Sequence, residues 1–113
     1  MPVYSDSSKQ YLQELLKITN YNPIAIGYQK LTVAGTAVGL TVPTDSRYAV
    51  ITVETTAGIR YLELSATTLP TSTDGLLKSN LDVFDVLGYS NLINFRAIQT
   101  AAGTHTLHIQ YYK

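Results

Sequence analysis

From Gln29 to the C-terminus the chain is a succession of short β-prone runs, "YQKLTV", "TAVGLTVP", "RYAVITVE", "IRYLELS", "LDVFDV", "LINFRAI" and "THTLHIQYY". Turn signals separate them at Ala34-Gly35, Pro43 to Ser46, Thr55 to Gly58, the Thr- and Pro-rich stretch from Ala66 to Asp74, Leu87 to Asn91, and Thr100 to Gly103. This spacing is that of a β-sandwich or barrel. The fold class expected is therefore mainly β, an antiparallel β-sandwich of about seven strands. Alternation sets the facing, because successive side chains on a strand point to opposite sides. In the last run His105, Leu107, Ile109 and Tyr111 share the side expected to face the core, with His105 at its wet end. In "RYAVITVE" Ala49, Ile51 and Val53 share a side. A hairpin across "TTAG" would set Ile51 opposite Leu62 and Ala49 opposite Leu64. The residues expected to be buried are Ile51, Val53, Leu62, Leu64, Val83, Phe95, Leu107 and Ile109.

The pattern changes near Tyr28. In "SDSSKQYLQELLKI" Ser7 can cap a short helix with Gln10 three residues on, and Tyr11, Leu12, Leu15 and Leu16 gather on one face. A helix of about twelve residues is marginal alone, so that face requires something to dock on. Next, Pro23 pushes Asn22 toward an extended backbone, and "PIAIGY" reads as an extended connector or an edge strand. The chain divides into an N-terminal helical arm, residues 1–27, and a β domain, residues 28–113. Tyr4, Tyr11 and Tyr21 give the arm large contact area at low entropic cost. Packing on a neighbouring subunit or on the shell that carries it is the expectation for Tyr11, Leu12, Leu15, Leu16, Tyr21, Ile24 and Ile26.

Composition sharpens this picture. Of the 113 residues only 14% are charged, against about 25% in an ordinary domain, while fifteen Thr and nine Tyr carry much of the polarity. A Thr-rich solvent face suits a pleated sheet. Coverage by neighbouring subunits would also account for it, since interface cores are poor in charge and rich in Tyr. Eight Lys and Arg balance eight Asp and Glu, so no net field points to nucleic acid or an anionic membrane. Without Cys the chain has neither disulfides nor thiolate metal ligands, and the N-terminus "MPVYSDSSKQ" lacks a secretory pattern. Synthesis and folding in a cytoplasm are expected.

Candidate chemistry is sparse. Asp82 and Asp85 would project to opposite faces of a strand, as would His105 and His108, so neither pair converges as a catalytic dyad or metal site requires. "GYSNL" lacks the second Gly of a nucleophile elbow, and "TVAGTAVG" has glycines at the wrong spacing for a phosphate cradle. No enzyme activity and no cofactor are expected. The tyrosines leave room for a carbohydrate-binding surface, with aromatic faces stacking on sugar rings.

One stretch goes further. "GIRYLELSATTLPTSTDGLLKSN", continued by "LDVFDVLGYSNLINFRAI" and closed by "HTLHIQYY", resembles small structural proteins of tailed bacteriophages over about residues 47–112. The shared features are Arg60-Tyr61, a Pro-Thr loop from Pro70-Thr71 to Gly75, Asn91-Leu92 before Phe95-Arg96, and a Tyr-rich terminal strand. The start of the loop, "SATTLPT", lacks the Asp-Gly that often precedes Pro-Thr in that family. The resemblance implies a non-enzymatic virion protein, assembled in the host cytoplasm, as a capsid decoration or accessory protein or a head-tail junction component. Its partners would be other virion proteins of capsid or tail and further copies of itself, with no nucleic acid and no membrane. The loop would then be a contact loop using Pro70 and Thr71. The alternative function is a carbohydrate-binding module of a phage receptor-binding appendage; a small hydrolase comes third.

Overall fold

The computed structural model describes residues 22–65 and 67–113. The expected helix with Tyr11, Leu12, Leu15 and Leu16, and Tyr21 after it, lie outside the described residues. Within them the chain is mainly β, with strands β1 (Ala25–Thr32), β2 (Tyr48–Thr55), β3 (Ile59–Leu62), β4 (Leu76–Lys78), β5 (Val83–Leu87), β6 (Arg96–Gln99) and β7 (His105–Tyr112). Among the described residues one short helix, α1 (Tyr89–Asn94), precedes β6. The strands form two antiparallel sheets, ordered β1-β7-β2-β5 and β4-β3-β6.

β7 lies between β1 and β2, and its register aligns Leu31, Leu107 and Val53 in one row and Gln29, Ile109 and Ile51 in the next. The alternation of "HTLHIQYY" is obeyed in full: His105, Leu107, Ile109 and Tyr111 are all buried. From the second sheet Ile59, Tyr61 and Ala97 join the same apolar cluster. At its centre Phe84 of β5, Tyr61 of β3 and Phe95 stack with centroid separations of 4.6 Å (Tyr61 to Phe84) and 5.4 Å (Tyr61 to Phe95). The two sheets thus share one core, and aromatic stacking adds to the burial energy of each ring.

The hairpin across Thr55–Gly58 does not form. β2 is flanked on both edges by β7 and β5, and β3 pairs in the other sheet. Local chemistry turns the chain away: Gly58 adopts φ of +109°, a conformation strained for a residue with a Cβ, and its N–H donates to Thr55 Oγ1 at 2.8 Å. Thr100 Oγ1 then donates to Ala57 O at 2.9 Å, tying the turn to the end of β6. After this crossover Ile59 and Tyr61 point inward, so Leu62 is only half-buried and Leu64 is exposed. That is the outcome of a one-residue change of face. Val83 is exposed too, because Phe84 and Val86 take the inward positions of β5.

Three further readings change. "TAVGLTVP" makes one bridge, Val38 to Ala97, with both backbone bonds at 2.9 Å. Val38, Leu40 and Val42 still pack on the core, so the alternation reports facing without a ladder. "LINF" belongs partly to α1, and β4 is a three-residue strand without a period of its own. His105 is not at a wet end: it is 1% exposed. Its Nε2 lies 2.9 Å from Ala101 O, which can only accept, so Nε2 carries the proton and Nδ1 accepts from Thr55 Oγ1 at 2.6 Å. Thr55→Val should therefore leave His105 Nδ1 and the Gly58 N–H unpaired, costing about 1–3 kcal/mol in urea unfolding.

Candidate interaction surface

The residues expected at an interface divide by their surroundings. Ile24 is exposed and lines an open groove of about 690 Å³ with Asn22, Thr44, Asp45, Arg47, Tyr89 and Lys113. Its backbone bonds Lys113 in both directions, at 3.1 and 2.9 Å, so the entry to β1 is tied to the C-terminus. Ile26 instead packs against the core of its own chain.

The Thr-rich loop is folded down on its own sheet. Arg60, on β3, donates from Nη1 to Gly75 O at 2.9 Å and from Nε to Ser72 O at 3.2 Å. Thr71 Oγ1 accepts the Asp74 N–H at 2.9 Å, and the Thr71 N–H donates to Asp74 O at 2.9 Å. Of the two loop residues expected at a contact, Pro70 is buried within its own chain and Thr71 is exposed. A Cβ on Gly75 would approach the Pro70 and Arg60 Cβ atoms to 3.1 and 3.2 Å, at φ of +127°. Gly75→Ala is expected to lose about 1–3 kcal/mol in a thermal or urea melt through that strain and crowding.

A polar constellation that the sequence did not reveal lies on the outer face of the first sheet. Tyr28 of β1, His108 of β7 and Glu54 of β2 are 80 and 54 positions apart, and only the β1-β7-β2 order brings them together. His108 Nε2 is 2.5 Å from Glu54 Oε1, and His108 Nδ1 is 2.7 Å from Tyr28 Oη. The carboxylate accepts from Nε2, and Nδ1 shares the second bond with the Tyr28 hydroxyl. The chain of bonds holds an exposed phenol ring, 6.2 Å from the imidazole centroid, in a fixed position on a flat face. A ring so held can anchor a contact with little further loss of entropy.

Large apolar side chains are exposed at other positions as well. Ile24, Tyr28, Leu64, Leu69, Leu76, Leu77, Leu81, Val83, Tyr89 and Ile93 are each 45% to 74% exposed. Leu76, Leu77, Leu81 and Val83 fall within eight consecutive residues on β4, β5 and the turn between them. Burial, reinforced by the Glu63 carboxylate, raises the Tyr61 hydroxyl above the usual phenol range, and burial also raises Glu63. Among the described residues no group of three or more His, Asp or Glu converges for a metal, and no helix is long and apolar enough to cross a membrane. Compared with protein families, with curated proteins and with solved structures, the chain matches none.

Proposed function

We propose that the chain is a non-enzymatic structural subunit of a tailed-phage virion, a capsid decoration or accessory protein or a head-tail junction component. In this reading the two sheets form a β-sandwich preceded by an N-terminal helical arm. The observation that carries the contact role is the surface itself: Leu76, Leu77, Leu81 and Val83 remain more than half exposed in one short segment. Large apolar side chains left exposed close together in sequence are candidate points of association. The fixed Tyr28 ring supplies a second anchor, since Tyr is favoured where binding energy concentrates. The virion assignment comes from the resemblance of residues 47–112 to phage structural proteins.

The carbohydrate-binding alternative rests on the same exposed tyrosines, Tyr28 and Tyr89. Two measurements separate the readings. An antibody against the chain should label phage particles purified from the strain that carries its gene, and labelled chain should leave a glycan array blank. Unlabelled particles together with saturable glycan binding would replace the structural reading by the appendage one.

A further inference from the structure

Three side chains on the outer face of the first sheet stand in the order nucleophile, base and orienting acid. Tyr28 Oη lies 2.7 Å from His108 Nδ1, and His108 Nε2 lies 2.5 Å from Glu54 Oε1. A hydroxyl within reach of a base that a third group holds in place is the arrangement that activates nucleophilic residues. The sheet fixes it. β7 is paired on both sides, by β1 and β2, and the three residues project from one face of these adjacent strands.

The two bonds use both ring nitrogens, and this decides the chemistry. A neutral imidazole has one N–H and one lone pair, and an ionised Glu54 can only accept. In the neutral ring the N–H is therefore at Nε2, and the Nδ1 lone pair faces the phenol O–H. Attack by Tyr28 then need not wait for the phenol to ionise in water, because its proton leaves as the new bond forms. Access is open, since Tyr28 is 63% exposed. Lys30 lies two positions further along β1, on the same face and opposite His108, with Thr52 completing the row on β2. It brings a positive charge to a patch where an attacked carbonyl oxygen gains negative charge. Lys30 and Glu54 are the charged groups that flank His108 on this face of β1 and β2, and Thr106 and Gln110 flank it along β7.

We propose that Tyr28 is a nucleophilic site that accepts an acyl group from an activated ester or thioester, with His108 as its general base and Glu54 positioning the imidazole. In this step the Tyr28 O–H bond breaks and its proton passes to His108 Nδ1, while Oη bonds to the carbonyl carbon. The tetrahedral intermediate then expels the alkoxide or thiolate with its bonding electron pair, and the imidazolium gives the proton to that leaving group. Nothing is oxidised or reduced, and the product is an aryl ester on an exposed face of the sheet. This chemistry is independent of the virion role and is read on purified protein. Its failure and the failure of particle labelling are therefore distinct results.

The probe is p-nitrophenyl acetate, applied to the full chain, with the acetylated residues identified by peptide mass spectrometry after an acid quench. Tyr89, 46% exposed, is the internal reference. Near neutral pH the unaltered protein should acetylate at Tyr28 about tenfold or more faster than at Tyr89, since general-base assistance is worth at least that much. The Tyr28 rate should level off once the imidazole is neutral, whereas an unassisted phenol keeps climbing, about tenfold per pH unit, until it ionises near pH 10. Both readings need no variant. His108→Gln should bring Tyr28 down to the Tyr89 rate and abolish the plateau. Glu54→Gln keeps an oxygen acceptor for Nε2–H but loses the charge that stabilises the imidazolium, so the rate should fall with the plateau retained. Three results would overturn the assignment: Tyr28 reacting no faster than Tyr89, a Tyr28 rate that follows an unassisted phenol across the pH range, or a rate unchanged by His108→Gln. Acetyl found on Lys30 or His108 in place of Tyr28 would also overturn it, by putting the nucleophile elsewhere in the patch.

Discussion

Phe95→Ala is expected to destabilise the protein by about 3–5 kcal/mol, the range for truncating a fully buried aromatic residue. Phe95 has no exposed surface and stacks on both Tyr61 and Phe84, with centroids 5.4 and 6.4 Å away. Those two rings come from different sheets, so removing the third leaves a cavity where the sheets meet. Neither neighbour can collapse into it without leaving its own strand. Ile93→Ala, two residues earlier and 45% exposed, should cost less than about 0.5 kcal/mol. Urea unfolding of the two variants checks the pair. A loss under about 1 kcal/mol for Phe95→Ala would mean that the aromatic row does not join the sheets.

Stability should also fall steeply in alkali. Tyr111 is 1% exposed, its hydroxyl donates to Gln29 Oε1 at 2.6 Å, and burial pushes its pKa up to about 12. An unfolded Tyr titrates near 10. The folded value is the higher one, so the stabilisation is complete below about pH 10 and is lost as pH rises toward 12. The slope is about 1.4 kcal/mol per pH unit, or roughly 2.7 kcal/mol over that window. Tyr61 is raised in the same direction and steepens the loss. Tyr111→Phe should cost only about 1 kcal/mol at neutral pH, because Gln29 Oε1 keeps the Thr41 N–H at 3.0 Å. It should also flatten the alkaline slope. Unfolding free energies at pH 9, 10 and 11 for both proteins test this, and identical slopes would contradict it.

Glu63 acts in the same sense at lower pH. Burial raises its carboxyl above the ordinary value, so the stability it contributes is present below that value and is lost as pH rises through the raised one.

What the sequence made legible was facing within a strand. Alternation identified Ile51, Val53, Leu107 and Ile109 as buried, because each lies in a run whose period is uninterrupted; Phe95 is buried as expected, although α1 interrupts its run. Pairing between strands was not legible. Nothing in "TTAG" distinguishes a two-strand turn from a crossover, and the outcome depends on Thr100, over forty residues away, fastening the Ala57 carbonyl. Leu62 and Leu64 were misassigned for that reason. His105 looked like a strand end, yet Thr55 and Ala101 give both ring nitrogens partners, which is what permits its burial.

The same limit applies to the surface. The exposure of Val83 and the meeting of Tyr28, His108 and Glu54 follow from sheet order, which no local pattern encodes. Pro70 shows the opposite case. It stands in a stretch that reads as a free loop, but Arg60 holds that loop on β3 through Ser72 and Gly75 carbonyls, leaving the Pro inside. An Arg next to an aromatic residue on a strand was the available signal, and its reach across the loop was not readable from spacing.

The most direct test of the central proposal, that this chain works as a structural subunit through its exposed apolar side chains, is a subnanometre reconstruction of phage particles from the strain carrying the gene. The account predicts density for repeated copies on the head, neck or tail, with Leu81 and Val83, 74% and 62% exposed in the single chain, covered by a neighbouring molecule. Particles that contain no copy of the chain, or copies whose Leu81 and Val83 both face solvent, would contradict it.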